Sequence, residues 1–194
     1  MHNIDIIEEI NDGNQNVYLR KVSLDDANFL FESLKEKVIS KYLSLGPLSS
    51  HSHSKKLSKK YLKFWDDKIQ FNYIIELREN MNEIKKIGSI SLWDLSWLHH
   101  RAKIGVWITP KYWNMGYAKI ALKLITIIGF SHLRLNRLEA QIAVENVRSI
   151  SLFKKSGFVE EGLLLQYLKI RGNYHDALIF SYLKARWNQN RFNK

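Results

Sequence analysis

The 194-residue chain has no cysteine, and none of its apolar runs reaches the ~18 residues needed to cross a bilayer. Without cysteine it has no thiol for a disulfide, a zinc site or nucleophilic catalysis. Its first residues carry Asp5, Glu8 and Glu9 ahead of any apolar segment, the reverse of a secretory signal. These absences predict a cytoplasmic protein that makes no membrane contact.

Acidic residues are also scarce, since 30 Lys and Arg face 19 Asp and Glu and leave a formal charge of +11. Such a surface attracts anions and repels polycations at long range. The apolar fraction of 45% and the six tryptophans exclude a disordered chain. The length predicts one domain over residues 1–194, with an N-terminal arm at 1–16 and a polar tail at 184–194.

Two histidines, His51 and His53, lie in a serine-rich segment and are candidate ligands for a metal ion. Two imidazoles need a third or fourth ligand to hold zinc, and no cysteine or nearby carboxylate supplies one. The segment 41–54 is therefore predicted to be a solvated loop, and no metal is expected. The lysines that follow, at 55, 56, 59, 60 and 63, alternate with apolar residues, which favours a solvated helix face over a nucleic-acid surface.

Hydrophobic periodicity predicts a mixed sheet with flanking helices in a single domain. The segment 78–85 is predicted to be a charged turn, and Gly157 is predicted to end a helix as its C-cap. Strands are predicted at 17–22, 71–77, 87–95, 104–108, 136–144, 158–161, 165–170 and 175–183, and helices at 23–38, 55–67, 117–133 and 146–156.

The segment 101–133 combines a strand, a glycine-containing loop and a buried helix. Ile104, Val106 and Ile108 alternate with smaller or polar residues, and Pro110 then ends the strand. The helix start leaves backbone N–H groups unpaired and points its positive dipole end toward the loop at 113–118. This arrangement suits a phosphate or pyrophosphate, and Gly116 would let the backbone approach it closely.

Six blocks in order resemble the GNAT superfamily of N-acetyltransferases, most closely the branch that includes the ribosomal-protein alanine N-acetyltransferases. The resemblance implies an α/β (α+β) fold with a mixed, largely antiparallel sheet, whose splayed central parallel strands are flanked by helices. The blocks are Ile104-Gly105-Val106-Trp107-Ile108, Tyr112-Trp113-Asn114-Met115-Gly116-Tyr117-Ala118, Asn136-Arg137-Leu138-Glu139-Ala140, Asn146-x-x-Ser149-Ile150, Lys155-Ser156-Gly157-Phe158 and Gly172-Asn173-Tyr174-His175-Asp176.

The resemblance implies that acetyl-coenzyme A (acetyl-CoA) binds where the strands 104–108 and 136–144 separate. The backbone of the first strand would pair with the pantetheine arm, and the N–H groups of the glycine loop would bind the pyrophosphate. The family usually begins this loop with Gln or Arg, where this chain has Trp113. The implied cofactor-binding residues are Val106, Trp107, Ile108, Asn114, Met115, Gly116, Tyr117, Ala118, Asn146, Ser149 and Phe153.

Two residues are implied as catalytic. Glu139 is the candidate base, because related acetyltransferases carry a base glutamate on this strand; the alternatives are an ion pair with Arg137 or a base acting through a water chain. Some relatives have a carboxylate where this chain has Lys103. Many members have a tyrosine acid where this chain has Phe153, so Ser149 is the candidate group for the coenzyme sulfur.

Several of these residues also have a structural interpretation. Asn146 and Ser149 could instead cap a helix. The oxyanion would face a backbone N–H near Trp107 or Ile108. The adjacent His175 and Asp176 would point to opposite faces of a strand, so they are interpreted as a structural signature rather than a catalytic dyad.

The expected reaction is direct acetyl transfer to a primary amine in a ternary complex. A protein N-terminal α-amine is the leading acceptor, since its pKa of about 8 makes it easier to deprotonate than an alkyl amine near 10. A polyamine, an aminoglycoside or an amino sugar is the alternative, and so is a non-catalytic RNA- or protein-binding module. The sequence is compatible with contact to nucleic acid or the ribosome and with a homodimer.

Overall fold

The computed structural model describes residues 6–11, 13, 16–80 and 83–192, and within them one sheet carries helices on both faces. The elements are β1 (Glu9–Asn11), β2 (Val17–Lys21), α1 (Ala27–Leu34), α2 (Lys37–Ser40), α3 (His51–Asp66), β3 (Phe71–Asn80), β4 (Glu83–Ser96), β5 (Arg101–Ile108), α4 (Tyr117–Ile127), β6 (Arg137–Ala143), α5 (Val147–Lys155), β7 (Val159–Ile170), β8 (Asn173–Leu183) and α6 (Lys184–Phe192).

The sheet has the strand order β1-β2-β3-β4-β5-β6-β8-β7. The described neighbours pair antiparallel except for β5 and β6, which run parallel at the centre. The predicted fold class is therefore confirmed. The crossover from β5 to β6 passes through α4 and a π-helical turn, Ile128–His132, that continues it.

The two faces of the sheet bury separate apolar clusters. Ile104, Ile108 and Leu138 pack with α4 in the larger cluster. Ile74 and Trp107 pack with α1 and α3 in the smaller one. Since neighbouring residues on a strand point to opposite faces, β5 presents its even-numbered side chains to α4 and its odd-numbered ones to α1 and α3.

The predicted first helix and the loop after it have different bounds in the structure. The helix breaks after α1, because Glu36 is extended, with ψ 117°, and α2 follows separately. The predicted loop 41–54 was wrong at its end: α3 begins at His51, because the Ser50 side chain accepts a hydrogen bond from the His53 N–H. Both histidines therefore lie on a helix.

The charged segment 78–85 contributes mostly to strands rather than to a turn. Arg78 pairs with Ile84 in the β3–β4 hairpin, and only 81–82 between the strands lie outside the described residues. Ion pairs between neighbours on one strand, Arg78 with Glu76 and Lys85 with Glu83, accommodate these charges. Charge alone did not distinguish a solvated strand from a turn.

Three further segments refine the prediction. The segments 158–161 and 165–170 form one bulged strand, β7. The polar tail includes α6, whose Trp187 packs against Phe130 with ring centroids 5.4 Å apart. Gly157 ends α5 with φ +91°, as its predicted C-cap role requires.

Among the described residues, no helix has the length and apolarity to cross a membrane. The same residues include no cluster of three or more His, Cys, Asp or Glu side chains arranged to hold a metal ion.

Candidate active site

The parallel strands β5 and β6 separate after a short paired segment. Their register joins Arg101–Lys103 to Arg137–Glu139 and ends there. Beyond it, β5 continues along β4 and β6 continues along β8. A cleft therefore opens between Ile104–Ile108 and the later half of β6. The two strands separate at the place that the sequence predicts.

The exposed edge of β5 offers backbone groups to an extended ligand. The Thr109 N–H donates to the Ile87 carbonyl at 2.8 Å, so the odd-numbered residues here direct their backbone groups toward β4. By alternation, Val106 and Ile108 direct theirs into the cleft. The Ile108 carbonyl accepts a hydrogen bond from the Trp113 indole N–H at 2.7 Å. Val106 and the Ile108 N–H remain available for strand-like pairing.

Gly88 brings β4 close to the cleft strand. A Cβ at this position would lie 2.3 Å from the Trp107 carbonyl oxygen, too close for any side chain. Glycine is therefore required where β4 approaches the last residues of β5.

The loop before α4 presents consecutive backbone donors. Asn114 and Gly116 have φ of +61° and +84°, and the first α4 hydrogen bonds run from Lys119 and Ile120 to the Gly116 carbonyl. Within the described part of the chain, the N–H groups of residues 114–118 make no hydrogen bond. With the helix dipole behind them, these donors can bind an anion.

The second wall of the cleft is formed by β6 and the start of α5. Asn146 caps α5, because its side chain accepts from the Ser149 N–H at 3.3 Å. The Ser149 hydroxyl makes no hydrogen bond among the described residues. Phe153 is buried against Phe158, with ring centroids 4.9 Å apart, so it forms part of the core. The cofactor contacts expected of Asn146, Ser149 and Phe153 stay predictions.

The two walls meet through a contact between Trp113 and Arg148. The Arg148 guanidinium carbon lies 4.5 Å from the centroid of a Trp113 ring, a cation–π distance. Met115, in the loop that follows Trp113, is exposed, and Tyr117 packs edge-on to Tyr112. This contact joins the loop of the first wall to the first turn of α5.

Glu139 lies where the cleft begins and is nine-tenths buried. Its register partner is Lys103, so it shares the face of the sheet that carries Trp107. One carboxylate oxygen pairs with Arg137 Nε at 2.5 Å, and the other lies 3.7 Å from Arg101. Arg137 also holds Glu161, whose carboxylate accepts from the Ser181 hydroxyl. The ion pair weighed against a base role is thus present.

Lys103 is a half-buried cation and the register partner of Glu139. Burial opposes its charge, but the hydrogen bond from its ammonium to Asp94, 2.8 Å long, keeps the pKa of Lys103 above its ordinary value. It therefore stays protonated at neutral pH and does not act as a base. Its ammonium also lies 5.1 Å from a Trp93 ring, and Trp107 on the same face stacks on Phe29 at 5.8 Å.

His175 and Asp176 have separate partners. The Asp176 carboxylate accepts from the Gln166 N–H at 2.7 Å, at the bulge of β7, where Gln166 has φ +48°. His175 lies 3.4 Å from Glu145. These contacts are structural in kind.

The sequence alone did not single out Phe29, Asp94 or Arg148. Each acquires its place through a contact across the chain, with Trp107, Lys103 and Trp113 respectively. For Arg148, the one feature of the sequence that could have indicated a role was its position between Asn146 and Ser149 in a motif.

Residues 16–159 match the family model for the acetyltransferase (GNAT) domain, about three quarters of the chain. The chain belongs to the GNAT acetyltransferase family. Its members are N-acetyltransferases that use acetyl-CoA, so the predicted enzyme class and acetyl donor are confirmed. The cleft between β5 and β6 is accordingly the candidate active site of a GNAT enzyme.

Several GNAT relatives resemble the chain over most of its length. It is 29% identical to the uncharacterized N-acetyltransferase YoaA of Bacillus subtilis, over 82% of this chain and 88% of that protein. It is 26% identical to the spermidine N(1)-acetyltransferase of Vibrio cholerae, over 84% of this chain and 91% of that protein. A crystal structure of spermidine N-acetyltransferase from Vibrio cholerae with CoA and spermine superposes with a TM-score of 0.77, at 24% identity over 89% and 98% of the two chains.

A putative member of the predicted branch is similar over a shorter stretch. The putative ribosomal N-acetyltransferase YdaF of Bacillus subtilis is 34% identical over 52% of this chain and 55% of that protein. The comparisons therefore show the GNAT family but do not single out its ribosomal branch.

Proposed function

We propose that this GNAT enzyme transfers the acetyl group of acetyl-CoA directly to a protein N-terminal α-amine, in a ternary complex of enzyme and both substrates. The observation that carries this proposal is the state of the charges on the acceptor-side face, the face shared by Lys103, Trp107 and Glu139. Two carboxylates at this face already have cations: Asp94 pairs with Lys103, and Glu139 pairs with Arg137.

A polyamine needs several free carboxylates to replace the hydration of its ammonium groups. The paired Asp94 and Glu139 do not offer them, and the +11 chain repels polycations at long range. An α-amine brings a single charge and loses its proton more readily at neutral pH. The aromatic pair Phe29 and Trp107 supplies an apolar surface for the first side chain of a peptide.

We assign the coenzyme to the cleft by its geometry. The backbone of Val106 and the Ile108 N–H would pair with the pantetheine arm, and the free N–H groups of 114–118 would bind the pyrophosphate. Asn146 and Ser149 lie at the start of α5, on the opposite wall. The acetyl carbonyl would be polarised by a backbone N–H of β5 near Trp107 or Ile108.

We propose Glu139 as the base and Ser149 as the group that bonds to the coenzyme sulfur. Glu139 is supported by its position on the acceptor-side face and by the protonated state of Lys103, which removes that neighbour as a proton acceptor. The arginines on Glu139 support a structural role equally well. A base acting through a water chain is the remaining alternative. The pH–rate profile of Glu139→Gln distinguishes these three roles.

Spermidine is the second candidate acceptor. The observation that favours it is the 26% identity, over 84% of this chain, to the spermidine N(1)-acetyltransferase of Vibrio cholerae. Polyamine acetylation by this chain would require ammonium-binding carboxylates other than the paired Asp94 and Glu139.

The deciding experiment measures CoA thiol release with matched acceptors. One peptide carries a free α-amine, its control is the same peptide with a blocked α-amine and a free lysine, and spermidine and an amino sugar complete the set. We expect kcat/KM for the free α-amine to exceed that for spermidine at least tenfold. Faster turnover of spermidine would overturn the peptide acceptor and leave the GNAT reaction intact.

A non-catalytic module would bind acetyl-CoA but acetylate none of these amines. It would also bind RNA in a salt-sensitive way if nucleic acid were its partner. The cytoplasmic location, a ribosomal contact and a homodimer stay predictions attached to this proposal.

A further inference from the structure

Arg148 lies in the first turn of α5 with its side chain exposed. Among the described residues it forms no ion pair with a carboxylate, since the nearby Glu145 lies against His175 instead. Its described contact is the Trp113 ring, 4.5 Å from the guanidinium carbon. Among the described residues its guanidinium donates no hydrogen bond, so its N–H donors are free to bind a ligand.

Trp113 holds this contact in a fixed place. Its backbone N–H donates to the Pro110 carbonyl at 3.1 Å, and its indole N–H donates to the Ile108 carbonyl at 2.7 Å. The indole is therefore fixed to the end of β5 by its hydrogen bond to Ile108. The Trp113 backbone leads directly into the loop 114–118. Through this contact Arg148 is held against the wall of the cleft that carries the loop 114–118.

We propose that Arg148 binds a phosphate group of the coenzyme and that Trp113 is the positioning residue for its guanidinium. This inference rests on the coenzyme site proposed above. Arginine suits phosphate because two of its N–H groups can bond two phosphate oxygens at once. The loop and Arg148 then bind the anionic part of the coenzyme from opposite walls of the cleft.

Lys111 provides a matched control for the charge of Arg148. It is exposed, lies two residues before Trp113 and stacks on an aromatic ring of its own, with Nζ 5.7 Å from the Tyr112 centroid. Its removal lowers the local positive charge equally but leaves Arg148 in place. A general charge effect would make the two variants alike.

The experiment titrates CoA and 3′-dephospho-CoA into the wild type, Arg148→Gln, Arg148→Lys and Lys111→Gln by calorimetry. We expect Arg148→Gln to raise the Kd of CoA roughly tenfold, the equivalent of ~1.4 kcal/mol. Arg148→Lys should give an intermediate value, because it keeps the charge without the planar fork, and Lys111→Gln should stay within about twofold. Unfolding temperatures check that each variant folds.

The second nucleotide identifies the phosphate. An equal loss for both ligands assigns Arg148 to the pyrophosphate, and a loss confined to CoA assigns it to the 3′-phosphate. An unchanged Kd in Arg148→Gln, or an equal loss in Lys111→Gln, overturns the inference while the coenzyme site stands. A wild type that does not bind CoA removes the coenzyme site and this inference together.

The role of Trp113 is tested by a double-mutant cycle. Trp113→Phe keeps an aromatic face, so Arg148→Gln should still cost roughly tenfold in that background. Trp113→Leu removes the face, and the Arg148 effect should shrink to about threefold or less. An equal Arg148 effect in both backgrounds would remove the positioning role of Trp113.

Discussion

Lys103 and Glu139 lie side by side in the last residue pair that joins β5 to β6. Each is neutralised by its own partner, Lys103 by Asp94 at 2.8 Å and Glu139 by Arg137 at 2.5 Å. A half-buried cation and a buried carboxylate thus mark the point at which the two strands separate. The two ion pairs, Lys103 with Asp94 and Glu139 with Arg137, set the electrostatics of the acceptor-side face.

Glu139→Gln tests the proposed base. If Glu139 accepts the proton of the amine, its loss should lower kcat by roughly 10²–10⁴-fold and remove the acidic limb of the pH–rate profile. Steady-state kinetics across pH measures both. Glu161→Gln is the matched control, because Glu161 also binds Arg137 but lies outside the proposed site.

The control should keep both kcat and the acidic limb. An unchanged pH–rate profile in Glu139→Gln would leave Glu139 with the structural task of pairing Arg137 and Arg101, and the base would then act through water.

The pH dependence of stability should report on Glu161. The hydrogen bonds from Arg137 and then from Ser181 lower the pKa of this carboxyl from 4.5 to about 2. A lowered carboxyl pKa stabilises the fold above pH 4.5, and this stabilisation is lost as pH falls from 4.5 through about 2. Since the Glu161 side chain is 37% exposed, water screens the pair and limits the effect to ~1 kcal/mol or less.

Urea unfolding of the wild type and Glu161→Gln at several pH values measures this contribution. The difference in unfolding free energy should be largest near neutral pH and should diminish toward pH 2. A difference that stays constant with pH would show that the pair does not lower the Glu161 pKa.

Gly116→Ala should weaken coenzyme binding beyond its effect on folding. At φ +84° an alanine is strained by roughly 1–2 kcal/mol, and its methyl would enter the open space in front of the loop donors. Gly172→Ala is the matched control, with φ +87° and equally open surroundings in the distant β7–β8 turn.

Both variants should lose similar unfolding free energy, while only Gly116→Ala should raise the Kd of acetyl-CoA, by roughly tenfold. Equal Kd values for the two variants would show that the loop does not contact the coenzyme.

Substitutions of Asn146 separate helix capping from cofactor contact. Asn146→Ala should cost ~1 kcal/mol of unfolding free energy, because the Ser149 N–H loses its acceptor. Asn146→Asp keeps that acceptor, so its unfolding free energy should match that of the wild type. The substitution also places a negative charge beside an anionic coenzyme. Its Kd for acetyl-CoA should rise several-fold. Unchanged binding in the Asp variant would restrict Asn146 to capping.

The sequence could predict the elements whose pattern is local. The alternation at Ile104, Val106 and Ile108 predicted the cleft strand, and Gly157 predicted the end of α5. The motif order further predicted that β5 and β6 would be parallel and separate.

Features that depend on one capping side chain or on contacts between distant elements could not be predicted in this way. The start of α3 depends on a single cap from Ser50, inside a segment whose composition resembles a loop. The α6 helix packs through Trp187 on Phe130, more than fifty residues away. The partners of Lys103 and Arg148 likewise come from other elements, so their roles at the cleft became visible only in the folded chain.

The most direct test of the coenzyme site is residue-resolved amide hydrogen exchange with and without acetyl-CoA. Binding in the cleft should slow exchange at Val106 and Ile108, whose N–H groups face it, and at residues 114–118, whose N–H groups are free. Exchange at Trp107, already paired with β4, should change little. Acetyl-CoA binding that protects other segments and leaves these amides unchanged would contradict the account.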